Sequence, residues 1–314
     1  MTPVLTLTPN PALDLTVRVP TLQAGHVHLA SEAATTPGGK GVNVAACLAD
    51  FGVPVVAGGL LGQANAGPFE ALLGAKGVAD HFVRLAGSTR TNIKLVAADT
   101  GDTTDINLPG FDVPAGAWEA LLARVRPLAR PGVIVVAAGS LPPALQAGGY
   151  APLLHLLAET GATAVLDTSG AALAAALQPG QPLPALIKPN RHELETLAGR
   201  ALPTLADVVA EAQALRTRGV GAVAVSLGAE GALLVAPGGA WRAEALPVVP
   251  VSTVGAGDAL VAGLVAARHA DLPWPEALRL GVAFATAKLR RLGPHLPPRD
   301  EVQALAAHVT LHSL

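Results

Sequence analysis

Val133-Ile134-Val135-Val136-Ala137-Ala138-Gly139-Ser140 decides the fold class. A short, uncharged apolar run with no period of two suits a strand covered on both faces. The run stops at Gly139 and Ser140. Three further runs behave alike. Ala164 to Leu166 stops at Asp167, Leu186 to Ile187 at Lys188-Pro189-Asn190, and Ala222 to Val225 at Ser226-Leu227-Gly228. Helical patterns accompany them at Gly116 to Ala129, Leu145 to Glu159, Leu205 to Arg218 and Pro275 to Arg291. Such alternation predicts a doubly wound α/β sheet flanked by helices. Ligands of open α/β sheets sit at the carboxyl ends of the strands. Successive polar strand ends therefore predict one ligand crevice, although each taken singly could be ordinary loop chemistry.

A different pattern lies outside these runs. Leu13, Leu15, Val17 and Val19 alternate with Asp14, Thr16 and Arg18. A similar stretch, Asn92 to Ala98, turns at Asp99-Thr100-Gly101 and returns through Thr103 to Asn107. Period two marks strands with one face open or turned to a ligand, and the turn residues suit a hairpin. These strands do not belong in a buried parallel sheet. They predict a small separate β-layer, about 12–33 and 91–108, inserted twice into one domain spanning 1–314. Placed over one edge of the larger sheet, it would form a lid.

Composition excludes several classes of function. The chain has 314 residues, 51% of them hydrophobic, which is enough for one large α/β domain with a small appendage. A formal charge of -2 gives no electrostatic reason to expect nucleic acid or an anionic membrane as partner. Pro131 to Ala158 is uncharged and long enough to suggest a membrane span. Gly139, Pro142, Pro143 and Gly148 interrupt it, so it reads as strand, loop and helix. Met1 to Thr8 alternates polar and apolar residues, with neither a basic leader nor a signal-like apolar core, so a cytoplasmic location is expected. Cys47 is the only cysteine and reads as a small buried hydrophobe. His26 and His28 share a strand face, without the cysteine or carboxylate pattern of a metal site.

Three motifs carry chemistry. In Thr253-Val254-Gly255-Ala256-Gly257-Asp258 the small residues allow a tight turn into an apolar helix. Such a turn aims backbone N–H groups and a helix dipole at one spot, which suits a phosphoryl group gathering charge. Asp258, at the start of that helix, is placed to take a proton from an attacking hydroxyl; it could equally be only a cap in a Gly-rich turn. In Pro37-Gly38-Gly39-Lys40-Gly41-Val42-Asn43, glycines precede a helical start with Lys40 and Asn43 on one side. These groups can hold sugar hydroxyls or a phosphate, but the spacing is not that of a P-loop. In Lys188-Pro189-Asn190-Arg191-His192-Glu193, Glu193 is either a first-turn carboxylate or a holder of water on magnesium.

Taken in order, these segments resemble the ribokinase-like (PfkB) carbohydrate kinases. The resemblance covers roughly Thr6 to Arg290 and adds Asn10-Pro11-Ala12-Leu13-Asp14, Gly139-Ser140-Leu141-Pro142 and Ser226 to Gly231. It implies a ribokinase-like α/β fold with a β-sheet lid, and ATP-dependent phosphorylation with Mg²⁺. By resemblance Asp258 is the catalytic base, and Gly255, Ala256 and Gly257 form the anion hole. Asp14, Gly38, Gly39 and Asn43 hold the sugar. Lys188, Asn190, Ser226, Gly228, Gly231 and Thr253 meet the nucleotide, and Glu193 with Asn190 organises Mg²⁺, through water.

Within the family the chain is similar to the phosphosugar branch. Arg90, Lys94, Lys40 and the Ser140 hydroxyl are expected to converge on a phosphate already present on the substrate, since arginine offers a planar fork to phosphate oxygens. The favoured reaction converts fructose 1-phosphate into fructose 1,6-bisphosphate; tagatose 6-phosphate and fructose 6-phosphate are the alternatives. A catalytically dead sugar-phosphate sensor would not need Asp258. An NAD-dependent oxidoreductase would need a GxGxxG after the first strand, and none is present. The second face of the lid, carrying Leu13, Leu15, Val17 and Val19, predicts a homodimer in which lids pack together.

Overall fold

A computed structural model of the chain describes residues 2–110, 112–145 and 148–314. Among them the strands are β1 (Val4–Thr8), β2 (Ala12–Val19), β3 (Glu32–Gly38), β4 (Val55–Gly62), β5 (Ala79–Asp80), β6 (Val83–Leu85), β7 (Arg90–Ala97) and β8 (Thr103–Ile106). They continue as β9 (Ile134–Ala138), β10 (Thr163–Asp167), β11 (Leu186–Ile187), β12 (Val223–Ser226), β13 (Ala232–Ala236), β14 (Gly239–Ala243) and β15 (Leu311–Ser313). The helices are α1 (Lys40–Asp50), α2 (Gly67–Ala75), α3 (Ala117–Val125), α4 (Ala151–Thr160), α5 (Gly170–Ala176), α6 (Arg191–Ala198), α7 (Leu205–Thr217), α8 (Ala256–His269), α9 (Trp274–Leu289) and α10 (Arg299–Ala307).

The larger sheet has the order β15-β14-β13-β12-β11-β10-β9-β1-β4-β5, with β6 beside β4. Its neighbours are parallel from β5 to β12 and antiparallel from β12 to β15. Parallel neighbours require crossovers, which helices supply on both faces. In β9, Ile134, Val136 and Ala138 enter a core shared with α1, α8 and α9. Val135 and Ala137 enter a second core with α3, α4 and α7. Both sides are dry, which explains why the strand is apolar throughout. The expected doubly wound sheet is present.

Two details differ from the sequence reading. The alternation in 1–8 hides a central strand: Thr6 and Thr8 of β1 are 0% and 1% exposed, between β4 and β9 (Met1 lies outside the described residues). The helix expected from Leu145 begins at Ala151, because Pro152 is tolerated only in the first turn; residues 146 and 147 lie outside the described residues. No helix among the described residues is long and apolar enough to cross a membrane.

The smaller sheet has the order β3-β2-β7-β8. β2 runs parallel to β7 and antiparallel to β3, and β7 and β8 form a hairpin. Strand β3 carries the first insert past residue 33, to Gly38. His26 and His28 are not on a strand. A turn closed by the His26 N–H on the Gln23 carbonyl (3.3 Å) interrupts the extended chain there. Of the apolar face of β2, Leu13 and Val19 are buried within the chain, and Leu15 and Val17 stay partly open.

Candidate active site

The turn before α8 is shaped by Gly255, which sits at the N-cap with φ 80°. That left-handed conformation favours glycine. No side chain among the described residues caps the helix, and the Ala256 N–H has only a long, 3.4 Å contact with the Thr253 carbonyl, so the start of the helix and the positive end of its dipole are left to an anion in front of them. Asp258 lies in the first turn, 8% exposed. Its Oδ2 accepts a hydrogen bond from Asn43 Nδ2 at 2.7 Å. The carboxylate is therefore aimed at α1 rather than capping its own helix. Burial, with repulsion from Asp167, pushes its pKa up to about 6, against the pull of Lys40, Asn43 and Lys188.

Lys40 and Asn43 share the first turn of α1. The chain enters that turn through Gly38 and Gly39, where it runs tight against its neighbours. A Cβ on Gly38 would stand 2.7 Å from Asp14 Oδ2, and one on Gly39 would stand 2.7 Å from Thr8 Cγ2. Gly39 also has φ 119°. Lys40 Nζ donates to Asp167 Oδ1 at 3.0 Å, and Lys188 Nζ lies 3.6 Å from the same oxygen. Burial alone would lower the Lys40 pKa, but Asp167, then Asp258 and Glu193, hold it above the ordinary lysine value. Asp167 is the carboxylate in contact with this ammonium, and Asp258 and Glu193 act on it through their charge.

Asp167 is the residue that the motif reading missed. It is 0% exposed at the end of β10, and its Oδ2 has no hydrogen-bond partner among the described residues. Its signal was present, as the polar terminus of a buried apolar run, but its role depends on two lysines distant in sequence.

On the small sheet, Asp14 Oδ1 accepts from Asn92 Nδ2 at 3.2 Å, and its pKa is raised by burial despite Lys94. Asp14, Thr16 and Lys94 face Asn43, Ser252 and Val254 across a cleft. The expected convergence of four phosphate-binding groups is corrected. Arg90 and Ser140 do meet, at 3.4 Å, with Asn10 Nδ2 3.2 Å from the same hydroxyl. Arg90 also donates to the carbonyls of Asn10, Pro11 and Leu108. Lys94 stands four residues along β7, roughly 13 Å away, paired with Asp105 at 3.1 Å. Lys40 is held by Asp167 instead. Each cation found its own acceptor, which a list of residue types cannot show.

The remaining motif residues gather at the ends of β11 and β12. Asn190 and Ser226 form a parallel β-bridge. Asn190 caps α6 in a reciprocal box: its Oδ1 accepts from the Glu193 N–H at 2.8 Å, and Glu193 Oε2 accepts from the Asn190 N–H at 2.8 Å. Glu193 is thus a first-turn carboxylate, whose charge also acts on Lys40. Gly228 and Gly231 hold the next turn with φ 61° and 93°. Lys188 is buried beside Gly257, whose Cβ position lies 3.5 Å from Nζ. The Thr253 carbonyl accepts from the Ala256 N–H at 3.4 Å in the turn before α8.

A helix-backed anion turn, with a buried carboxylate beside it at the strand ends of a doubly wound sheet, defines a phosphoryl-transfer enzyme acting on a hydroxyl. The chain belongs to the pfkB family carbohydrate kinases, whose family model matches residues 9–300. It is 46% identical over 297 residues to a 1-phosphofructokinase of Xanthomonas campestris pv. campestris, covering 92% of this chain and 93% of that one. It is 43% identical to a 1-phosphofructokinase of Rhodobacter capsulatus, covering 99% and 98%. Among solved structures it is similar to phosphofructokinase-2 from Escherichia coli in complex with fructose-6-phosphate, with a TM-score of 0.89, 29% identity and coverage of 98% and 99%. The fold is ribokinase-like and the chain is a carbohydrate kinase.

Proposed function

We propose that this chain transfers the γ-phosphoryl group of ATP to the C6 hydroxyl of fructose 1-phosphate, giving fructose 1,6-bisphosphate and ADP. The observation that carries the reaction is the position of Asp258, buried in the first turn of an uncapped helix. The relatives' activity supports the choice of sugar phosphate.

Asp258 takes the hydroxyl proton as the oxygen attacks the γ-phosphorus and the bond to ADP breaks. The N–H groups of Gly255, Ala256 and Gly257 hold the charge on the transferring group. Asp14, Gly38, Gly39 and Asn43 position the ring, and Arg90 with Ser140 meets the substrate's phosphate. Lys40 and Lys188, both held on Asp167, offer cations to the phosphates in transit. Lys188, Ser226, Gly228, Gly231 and Thr253 contact the nucleotide.

Magnesium fits this centre. It prefers carboxylates and retained waters; Asp167 Oδ2, without a partner among the described residues, and Glu193, acting through water, would be the carboxylates that hold it. Asn190 orients Glu193. When bound, the ion neutralises charge on the ATP phosphates. The whole chain acts as one kinase domain in the cytoplasm. The small sheet serves as a lid that excludes water, and two lids pair through Leu15 and Val17 into a homodimer. Light scattering at working concentration checks the assembly: a monomer contradicts it.

A ketohexofuranose carries CH₂ arms at both C1 and C6, so turning the ring over nearly exchanges them. Similarity to the fructose-6-phosphate complex makes phosphorylation at C1 the specific rival, with tagatose 6-phosphate alongside. A site that hydrogen-bonds ring hydroxyls should favour one substrate strongly. Comparing kcat/KM for the three phosphates tests this. A preference for either 6-phosphate refutes the 1-phosphate reading.

A further inference from the structure

Lys94 does not join Arg90 and Ser140; it stands further along the small sheet, between two carboxylates. Register sets this group. Asp14 of β2 lies opposite Asn92 of β7, Thr16 opposite Lys94, and Lys94 opposite Asp105 of β8. Paired residues project from the same face of a sheet. Asp14, Lys94 and Asp105 therefore share one face, the one that Asp14 and Lys94 turn to the cleft. Lys94 Nζ lies 3.1 Å from Asp105 Oδ1 and 4.0 Å from Asp14 Oδ2. The Lys94 side chain is buried, whereas Asp105 is exposed at the rim. Burial raises the Asp14 pKa, Lys94 lowers it and Asp105 raises it, so the three charges act on one another.

The two oxygens of Asp14 are used differently. Oδ1 accepts from Asn92 Nδ2 at 3.2 Å. Oδ2 accepts no hydrogen bond among the described residues, because Lys94 Nζ, at 4.0 Å, stands beyond hydrogen-bonding distance. Glycine at 38 also keeps the space beside this oxygen clear, since a Cβ there would stand 2.7 Å from it. Oδ2 is thus the acceptor open to a ring hydroxyl. A small shift of the Lys94 ammonium would close it. The nearer carboxylate holds an ammonium more strongly, and here the nearer one is Asp105.

We propose that Asp105 is a positioning residue: by holding Lys94 toward β8, it keeps Asp14 Oδ2 free to accept a hydroxyl of the sugar ring. Asp105 acts through Lys94 and does not touch the substrate. A hydrogen bond to a part of the ring that does not react is made alike in the bound and transition states. Its loss therefore raises the sugar KM and spares kcat. This inference rests on the proposed role of Asp14 in holding the sugar phosphate. Failure of that reading would leave the sugar KM unchanged in Asp14→Asn, whereas failure of this one appears only in the Asp105 variants.

Asp105→Asn keeps shape and removes charge, so Lys94 should turn to Asp14. At about pH 8, where carboxylates are ionised, its KM for fructose 1-phosphate should rise about 10-fold, with kcat and the ATP KM within about two-fold of the parent. Asp105→Glu keeps the charge and should stay near the parent. Adding Lys94→Met to Asp105→Asn removes the competing ammonium and should lower the raised KM again by about three-fold or more. A rise of less than about three-fold in Asp105→Asn overturns the proposal. So does a raised KM that Lys94→Met fails to lower, which would make the Lys94–Asp105 pair only a tie between β7 and β8.

Discussion

Asn43 Nδ2 donates to Asp258 Oδ2 at 2.7 Å, joining the first turn of α1 to the first turn of α8 across 215 residues of chain. The bond favours the ionised carboxylate, whereas burial and Asp167 oppose it. A base must be ionised to accept a proton, so kcat should rise with pH through about 6. Asn43→Ala removes a stabilising donor and should move that limb to higher pH. Asp258→Asn should lower kcat about 10²–10⁴-fold while ATP still binds. Near-normal turnover in Asp258→Asn would end its assignment as base.

The same shift makes a statement about stability. A carboxyl with a pKa near 6 in the folded chain and 3.8 ordinarily takes up protons on folding. Stability is then lost as pH rises from about 4 to about 6. Asp258→Asn escapes this loss. Denaturant unfolding should show the variant gaining on the parent as pH rises from about 4 through about 6, by on the order of 1–3 kcal/mol, and holding that gain above it. A difference independent of pH would contradict it.

Asp167→Asn should act in the opposite direction to Asn43→Ala. Removing the repelling carboxylate lowers the Asp258 pKa, so the kcat limb should move to lower pH. It also strands two cations. The expected cost is about 3 kcal/mol, the low end for breaking a buried pair, because the Lys40 side chain keeps 32% exposure. A pH titration of kcat beside an unfolding curve separates the two effects.

Glu193 has a cap to hold as well as a proposed metal. Glutamine fills the same position of a capping box, so Glu193→Gln should leave Tm nearly unchanged. The magnesium concentration needed for half-maximal rate should rise more than the sugar KM. If only the sugar KM moves, Glu193 belongs to the other pocket.

Sequence by itself determined the layers. Strands such as Val133 to Ala138 must be covered twice because they carry no polar face, and that demand dictates a doubly wound sheet. The period-two stretches at Leu13 to Val19 and Asn92 to Ala98 separated a second sheet for the converse reason. The Gly255 turn and Asp258 were legible because a glycine turn entering a helix is a local event. Partnership was not legible. Whether Asp258 capped its helix or faced another element was decided by Asn43, which reaches it only once α1 and α8 pack together. Asp167 looked like a strand terminus until Lys40 and Lys188 were seen on one of its oxygens. Arg90, Lys94 and Lys40 looked like one cluster until each took a separate acceptor. Charge interactions act through space over a few ångströms, and residue spacing along the chain carries no record of that distance; only the tertiary structure supplies it.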